Sequence, residues 1–202
     1  MDLQVQKLTA KGRATRQRII EGAAAEIRAR GMTATTLDDI MARTQTSKSQ
    51  LFHYFPDGKD QLLLAVATHE SQNVLRDQEP HLSNLDSWAA WQRWRDTVVD
   101  RYRQQGHQCP MAALRSETSR TTPGTQAVSV ELMRTWHRAI ADGIRRMQSL
   151  GNIDAALDAD HKATALLAGI VGGVNIMLAT GGDLSYLEAA LDTGIAAMRV
   201  GV

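Results

Sequence analysis

A chain of 202 residues with 43% hydrophobic content is long enough for one large domain or two small ones around a real core. A net charge of +1 excludes a partner chosen by bulk charge alone, and a single cysteine, Cys109, excludes an internal disulfide and fits a reducing cytosol. The amino end has no apolar core of signal-peptide type. The longest apolar stretch, Ala163 to Ala179, is interrupted by Thr164, Asn175 and several glycines, so it is expected to be too short for a membrane span. A cytoplasmic protein with no membrane partner is therefore expected.

β-branched alternation is absent and helical periodicity recurs throughout, so the expected fold class is all-α with nine helices. The first runs from about Thr9 to Arg30, with Ile20, Ala23, Ala24 and Ile27 on one face and Gly31 as its stop. A second starts after Thr35 or Thr36, with Asp38 and Asp39 in the first turn where the helix dipole favours acids. Leu37, Ile40 and Met41 face inward. Thr44-Gln45-Thr46 makes a turn, and Ser47 caps a short third helix anchored by Leu51. Phe55-Pro56-Asp57-Gly58 breaks the chain. The fourth helix is expected over about 59–77, the fifth over 85–105, the sixth from Pro110 to Glu117, and the seventh over 122–150. The eighth spans about 158–180 and the ninth about 184–199. The expected division is a small amino-terminal domain, 1–58, and a larger helical body, 59–202.

The second and third helices meet the requirements of a helix-turn-helix. One short helix braces the other, and the other offers its outward residues to the major groove. Leu37, Ile40, Met41 and Leu51 hold the pair inside. Ser47, Lys48, Ser49, Gln50, His53 and Tyr54 are left outside. Gln pairs bidentately with adenine, Lys reaches guanine or phosphate, and hydroxyls suit phosphate oxygens. Residues 1–60 also hold ten Lys/Arg against seven Asp/Glu, a weak pointer to an anionic polymer that a solvated helix face would equally explain.

Thr36-Leu37-x-x-Ile40, then Thr46-Ser47-Lys48-Ser49-x-Leu51-Phe52-His53-Tyr54-Phe55, then Lys59-x-x-Leu62, resembles the DNA-binding domain of the TetR/AcrR family of bacterial transcriptional regulators. The motif covers about residues 10–65. The resemblance implies a TetR-like architecture: a helix-turn-helix domain followed by a helical ligand-binding and dimerisation domain. It implies DNA contacts by Thr36, Ser47, Lys48, Ser49, Gln50, His53 and Tyr54, and a phosphate contact by Lys59. Arg13 and Arg16 are further candidates for the DNA backbone. Three departures stand out. Gln45 replaces a glycine usual in the turn, so the turn is either different or strained. Phe52 replaces a usual tyrosine and is expected to pack rather than bond phosphate. Asp57-Gly58 lengthens the joint by one residue, as in a branch resembling LmrA/YxaF, which residues 108–114 with Glu117 also resemble.

A short recognition helix buries little DNA, so two copies on a two-fold axis are expected to read a palindromic operator. The last two helices are apolar over much of their circumference, which suits either a central core or pairing. The resemblance implies a homodimer interface here, with Leu166, Ile170, Gly173, Val174, Leu187, Leu191 and Ile195 as candidates. Trp88, Trp91 and Trp94 recur every three residues along the fifth helix. By resemblance, Trp88 and Trp91 with Cys109, Met111, Met133, Trp136, His137, Asn175 and Met177 surround a ligand cavity. Tryptophan and methionine suit flat or pliable apolar effectors, and equally suit a plain core. Asn175, inside an apolar helix, needs a partner.

Enzyme chemistry is not expected. No P-loop, Rossmann glycine pattern, nucleophile elbow or Glu-x-x-His pair is present, and His107 with Cys109 lacks further metal ligands, so no cofactor and no metal are expected. The function expected is a ligand-responsive repressor that binds double-stranded operator DNA as a homodimer and is released by a small apolar or aromatic effector. The rivals are the same DNA binder controlled by a protein partner or acting constitutively, and an all-α enzyme or ligand carrier.

Overall fold

The computed structural model describes residues 8–106 and 123–199. Within them lie eight α-helices, a single 3-10 turn and no strand: α1 (Ala10–Arg30), α2 (Leu37–Thr44), α3 (Lys48–Tyr54), α4 (Lys59–Arg76), α5 (Trp88–Gln105), α6 (Pro123–Ser149), α7 (Ala159–Ala179) and α8 (Ser185–Ala196). The all-α expectation therefore holds. The helix expected from Pro110 to Glu117 lies outside the described residues, as do Cys109 and Met111. The described residues divide into two compact units. Residues 8–71 with 123–129 form one, and 72–106 with 130–199 form the other.

The first unit is built by its caps. Thr9 caps α1 through its side chain, which accepts from the Gly12 N–H at 3.1 Å, and Gly31 closes the helix with its N–H on the Ile27 carbonyl at 2.8 Å. Thr36, not Thr35, caps α2, in a capping box with Asp39. The Thr36 hydroxyl accepts from the Asp39 N–H at 3.1 Å, and the Thr36 N–H donates to Asp39 Oδ2 at 2.9 Å. Thr35 is buried, its hydroxyl on the Gly31 carbonyl at 2.7 Å. Ile19, Ile20, Ala23, Ala24 and Ile27 of α1 pack with Ile40, Phe55, Leu62 and Val66 into one core. Leu37 is half-buried against it, and Met41 is also half-buried. Where α1 crosses α2, Gly22 faces Thr44. A Cβ on Gly22 would lie 2.2 Å from Thr44 Cγ2, so the crossing depends on glycine.

In the second unit, α5 begins at Trp88 rather than at 85. Ser87 is the cap, accepting from the Ala90 N–H at 3.3 Å, and Leu82–Asn84 form the 3-10 turn before it. Trp91 and Trp94 are fully buried and meet edge to face at 5.6 Å. Buried Gln78 accepts from Trp94 Nε1 at 2.8 Å and donates to the Val74 carbonyl at 2.7 Å, so both ends of its amide are bonded. Helices α7 and α8 lie close together. A Cβ on Gly173 would fall 2.6 Å from the Leu187 Cα, and one on Gly194 would fall 2.5 Å from Leu166 Cδ1. Helix α7, expected to be too short to cross a membrane, has 21 residues, because Asp158 caps it five residues before the apolar stretch begins at Ala163. It is long and apolar enough for a span by length and composition. Leu166, Leu167, Ile170, Val174 and Met177 are buried along it.

Candidate nucleic-acid interface

Helix α3 is seven residues long and is fixed at both ends. Leu51 is fully buried on one side, and the Phe55 N–H closes the helix on the Leu51 carbonyl at 2.8 Å. At its start Ser47 and Gln50 form a second capping box. The Gln50 N–H donates to Ser47 Oγ and the Ser47 N–H donates to Gln50 Oε1, each at 3.2 Å. This changes what two of the candidates offer. The Gln50 carbonyl oxygen accepts one bond within the chain, so a bidentate pair with adenine would share that oxygen with the Ser47 N–H; its NH2 group remains. The Ser47 hydroxyl, accepting one bond, still carries a proton to donate. Lys48, Ser49 and His53 stand exposed, and the His53 ring meets the half-buried Tyr54 ring edge to face at 4.9 Å.

The other candidates are engaged to different degrees. The Thr36 hydroxyl both accepts from the Asp39 N–H and donates to Asp39 Oδ2 at 2.6 Å, which spends its proton within the chain. Lys59 Nζ donates to the Thr35 carbonyl at 2.6 Å and to the Met32 carbonyl at 3.4 Å, tying the start of α4 to the α1–α2 loop. One of its three N–H groups remains. Arg13 donates to the Leu8 carbonyl at 2.7 Å, and the Arg16 guanidinium lies 5.1 Å over the Phe55 ring.

The turn between α2 and α3 keeps the left-handed backbone that a glycine would favour. Gln45 has φ 49° and ψ 45°, and it is the one non-glycine with positive φ among the described residues. Phe52 departs from expectation. Its ring does not pack into the core but is 39% exposed, and it rests beside the lengthened joint, where a Cβ on Gly58 would meet Phe52 Cε1 at 3.5 Å.

A carboxylate network holds α2 in place beneath this surface. Glu26, buried in α1, pairs with Arg43 and, at 3.4 Å, with Arg30; Arg30 also pairs with Asp39 at 2.8 Å. The Thr36 hydroxyl first, then the Thr36 N–H and Arg30, bring the Asp39 carboxyl down to about 2. Arg43 first, then Arg30, hold Glu26 below its ordinary value against the opposing effect of burial. Arg28 pairs with buried Glu70 at 2.9 Å, joining α1 to α4.

The effector candidates of the second unit are scattered in character. Trp91, Trp136 and Met177 are buried, and Trp88, Met133 and His137 are half-buried. The indole N–H groups of Trp91 and Trp136 are buried without a hydrogen-bond partner among the described residues. Trp88 carries the Arg199 guanidinium 4.5 Å from its ring centre. The His137 Nε2 lies 3.1 Å from both the Asp160 carbonyl and the Thr164 hydroxyl. Asn175 is exposed on α7, so water meets its amide and the expected internal partner is not needed.

The seven pairing candidates, Leu166, Ile170, Gly173, Val174, Leu187, Leu191 and Ile195, are all buried within the single chain. The most apolar positions of α7 and α8 are spent on packing these helices into their own unit. The exposed face is a different set. It comprises Ala165, Ala168, Ile176 and Ala179 on α7, and Tyr186, Ala189 and Ala196 on α8.

Residues 19–66 match the family described as bacterial regulatory proteins, tetR family, and residues 87–193 match the tetracyclin repressor-like C-terminal domain. An uncharacterised HTH-type transcriptional regulator of Mycobacterium tuberculosis is 30% identical over 148 residues, 64% of this chain and 71% of the relative. The uncharacterised HTH-type regulator YxaF of Bacillus subtilis is 23% identical over 167 residues, 81% and 85% of the two chains. Among solved structures, the complex of SmeT with triclosan superposes with a TM-score of 0.74 at 21% identity, covering 93% of each chain. SmeT is the repressor of the Stenotrophomonas maltophilia multidrug efflux pump SmeDEF.

Proposed function

The chain belongs to the TetR family and is a DNA-binding transcriptional regulator, and we propose that it acts as a homodimeric repressor of a palindromic operator, released by a small apolar or aromatic effector. The observation that carries this reading is the face of α3. Lys48, Ser49 and His53 are exposed on a helix whose other side is fixed by Leu51. Lys48 and His53 serve base edges or phosphate. Ser47, Tyr54 and the remaining Lys59 N–H serve phosphate, with Arg13 and Arg16 on the flanking backbone. Gln50 and Thr36 act chiefly as caps that hold the reading helix and its brace.

Pairing uses the exposed small and apolar face of α7 and α8. Alanines allow the helices of two copies to approach closely, and Ile176 and Tyr186, 40% and 48% exposed, supply large side chains for burial. Two copies place two α3 helices on one side of the duplex, so their half-sites are related by two-fold symmetry.

The effector enters the second unit. Two buried indole N–H groups without partners among the described residues, those of Trp91 and Trp136, are donors that a ligand acceptor would satisfy. SmeT, which shares the fold, is known with bound triclosan, an occupant of this chemical kind. Helix α6 carries Trp136 and His137, and its first turn carries Gly124, where a Cβ would meet Leu64 Cδ1 of α4 at 3.2 Å. Only a ligand with different affinity for the DNA-binding state and the released state shifts their populations.

Selection of bound fragments from the source genome at one salt concentration tests the reading, because affinity depends on salt. A recurrent palindrome retained by the wild-type protein and not by Lys48→Ala supports it. Fragments without internal symmetry, or recovered equally by both proteins, contradict it.

A further inference from the structure

We propose that Phe52 is a base-reading residue, and that it reads the 5-methyl group of a thymine in each operator half-site. The proposal rests on the reading that α3 enters the major groove. At about 3.6 residues per turn, Phe52 falls roughly 40° around the helix from Lys48, with Ser49 at roughly 100° and His53 at roughly 140°. Leu51, at roughly 300°, is the buried residue of the helix, and Phe55, its C-cap, is also fully buried. Lys48, Ser49, Gln50, Phe52 and His53 are the exposed side chains of α3. They form one continuous face over roughly 0–200°, with Phe52 between Lys48 and Ser49 rather than at its rim.

The ring is both presented and held. It is 39% exposed, while its neighbours Leu51 and Phe55 are fully buried. One edge sits against Gly58, whose φ of 68° belongs to the left-handed region that glycine alone adopts cheaply. The lengthened joint thus forms a shelf for the ring, and the two departures of this sequence, Phe52 and Asp57-Gly58, meet in space. A phenyl ring offers neither donor nor acceptor, so it gains nothing from the polar edges of guanine, cytosine or adenine. The thymine methyl is the one apolar group on the major-groove edge of the four bases. Lys48, Ser49 and His53 around the ring supply the polar contacts that it lacks.

The test removes only that methyl. A genomic duplex footprinted for the wild-type protein is prepared with each half-site thymine replaced in turn by uracil, and binding is measured at fixed salt. The wild-type protein is expected to lose about fourfold in affinity at one thymine per half-site, the value of one buried methyl group. Phe52→Ala is expected to bind thymine and uracil duplexes alike, and Phe52→Tyr to keep the wild-type sensitivity at that position. Uracil without effect at every position, or equal losses in wild type and Phe52→Ala, overturns the proposal. Lys48→Ala separates the two levels. If it binds the parent duplex as the wild type does, α3 is not the reader, and the failure lies in that reading rather than in the role of Phe52.

Discussion

Gln45 holds the left-handed conformation at φ 49° that closes α2, so the turn keeps its geometry and the residue carries the strain. A non-glycine there costs about 1–2 kcal/mol. Gln45→Gly is expected to stabilise the protein by about 1 kcal/mol in urea melts, net of the greater unfolded-state freedom of glycine; a destabilised variant would show that strain at this turn is smaller than that entropy. The position was legible, because a turn that usually holds glycine held glutamine. Gln50 has a second role beside the expected contact with a base. The Ser47-x-x-Gln50 spacing is itself a capping-box signature, and the box uses one of the two lone pairs of the Gln50 carbonyl oxygen. Phe52 was misread as packing. With Leu51 inward, its neighbour turns about 100° away, and only the shelf at Gly58 explains why an aromatic ring is kept there. Lys48→Ala is expected to weaken operator binding by about 1–3 kcal/mol while leaving the helix content unchanged; equal affinity at matched salt would remove Lys48 from the interface.

Between elements, α1 and α2 cross at Gly22 and Thr44 with no room for a side chain. Gly22→Ala is expected to destabilise the first unit by about 1–3 kcal/mol and to weaken DNA binding through the displaced brace, as read by thermal melts and anisotropy. The same pair of helices is held by the Glu26–Arg30–Asp39 and Glu26–Arg43 ion pairs. Both carboxyls have folded values below their ordinary ones, so the unfolded chain takes up protons first as pH falls. Their contribution is intact above about pH 5 and is lost as pH drops toward about 2, the value of Asp39. Urea melts of the wild type and Asp39→Ala are expected to converge over that range; a constant difference would assign the stabilisation to something other than ionised Asp39. The sequence showed Asp39 in a first turn but not its partners, since Arg30 and Glu26 reach it only after α1 and α2 pack.

For the whole molecule, the helical pattern and its stops were legible almost throughout, because Gly31, Gly106, Gly151 and the caps at Thr36, Ser47 and Asp158 act locally. What a sequence does not display is which apolar face meets the same chain and which meets another. Leu166, Ile170 and Leu187 are among the pairing candidates that the family resemblance implies on these apolar helices. Those same residues are the ones that the chain buries first, in packing α7 on α8. The remaining face is made of small residues with a low apolar signal. Ala168→Arg places a charge on that exposed face, and sedimentation is expected to show a folded monomer that no longer binds the operator; an intact dimer would move the pairing surface elsewhere.

The central claim, that two copies of α3 read a symmetric site, is tested most directly by hydroxyl-radical footprinting of the wild-type protein on a genome-selected fragment. The account predicts two equal protected patches related by two-fold symmetry, with centres about 10 base pairs or a multiple of that apart, both lost together in Lys48→Ala. A single unsymmetrical patch, or a symmetric pair that survives Lys48→Ala unchanged, would contradict it.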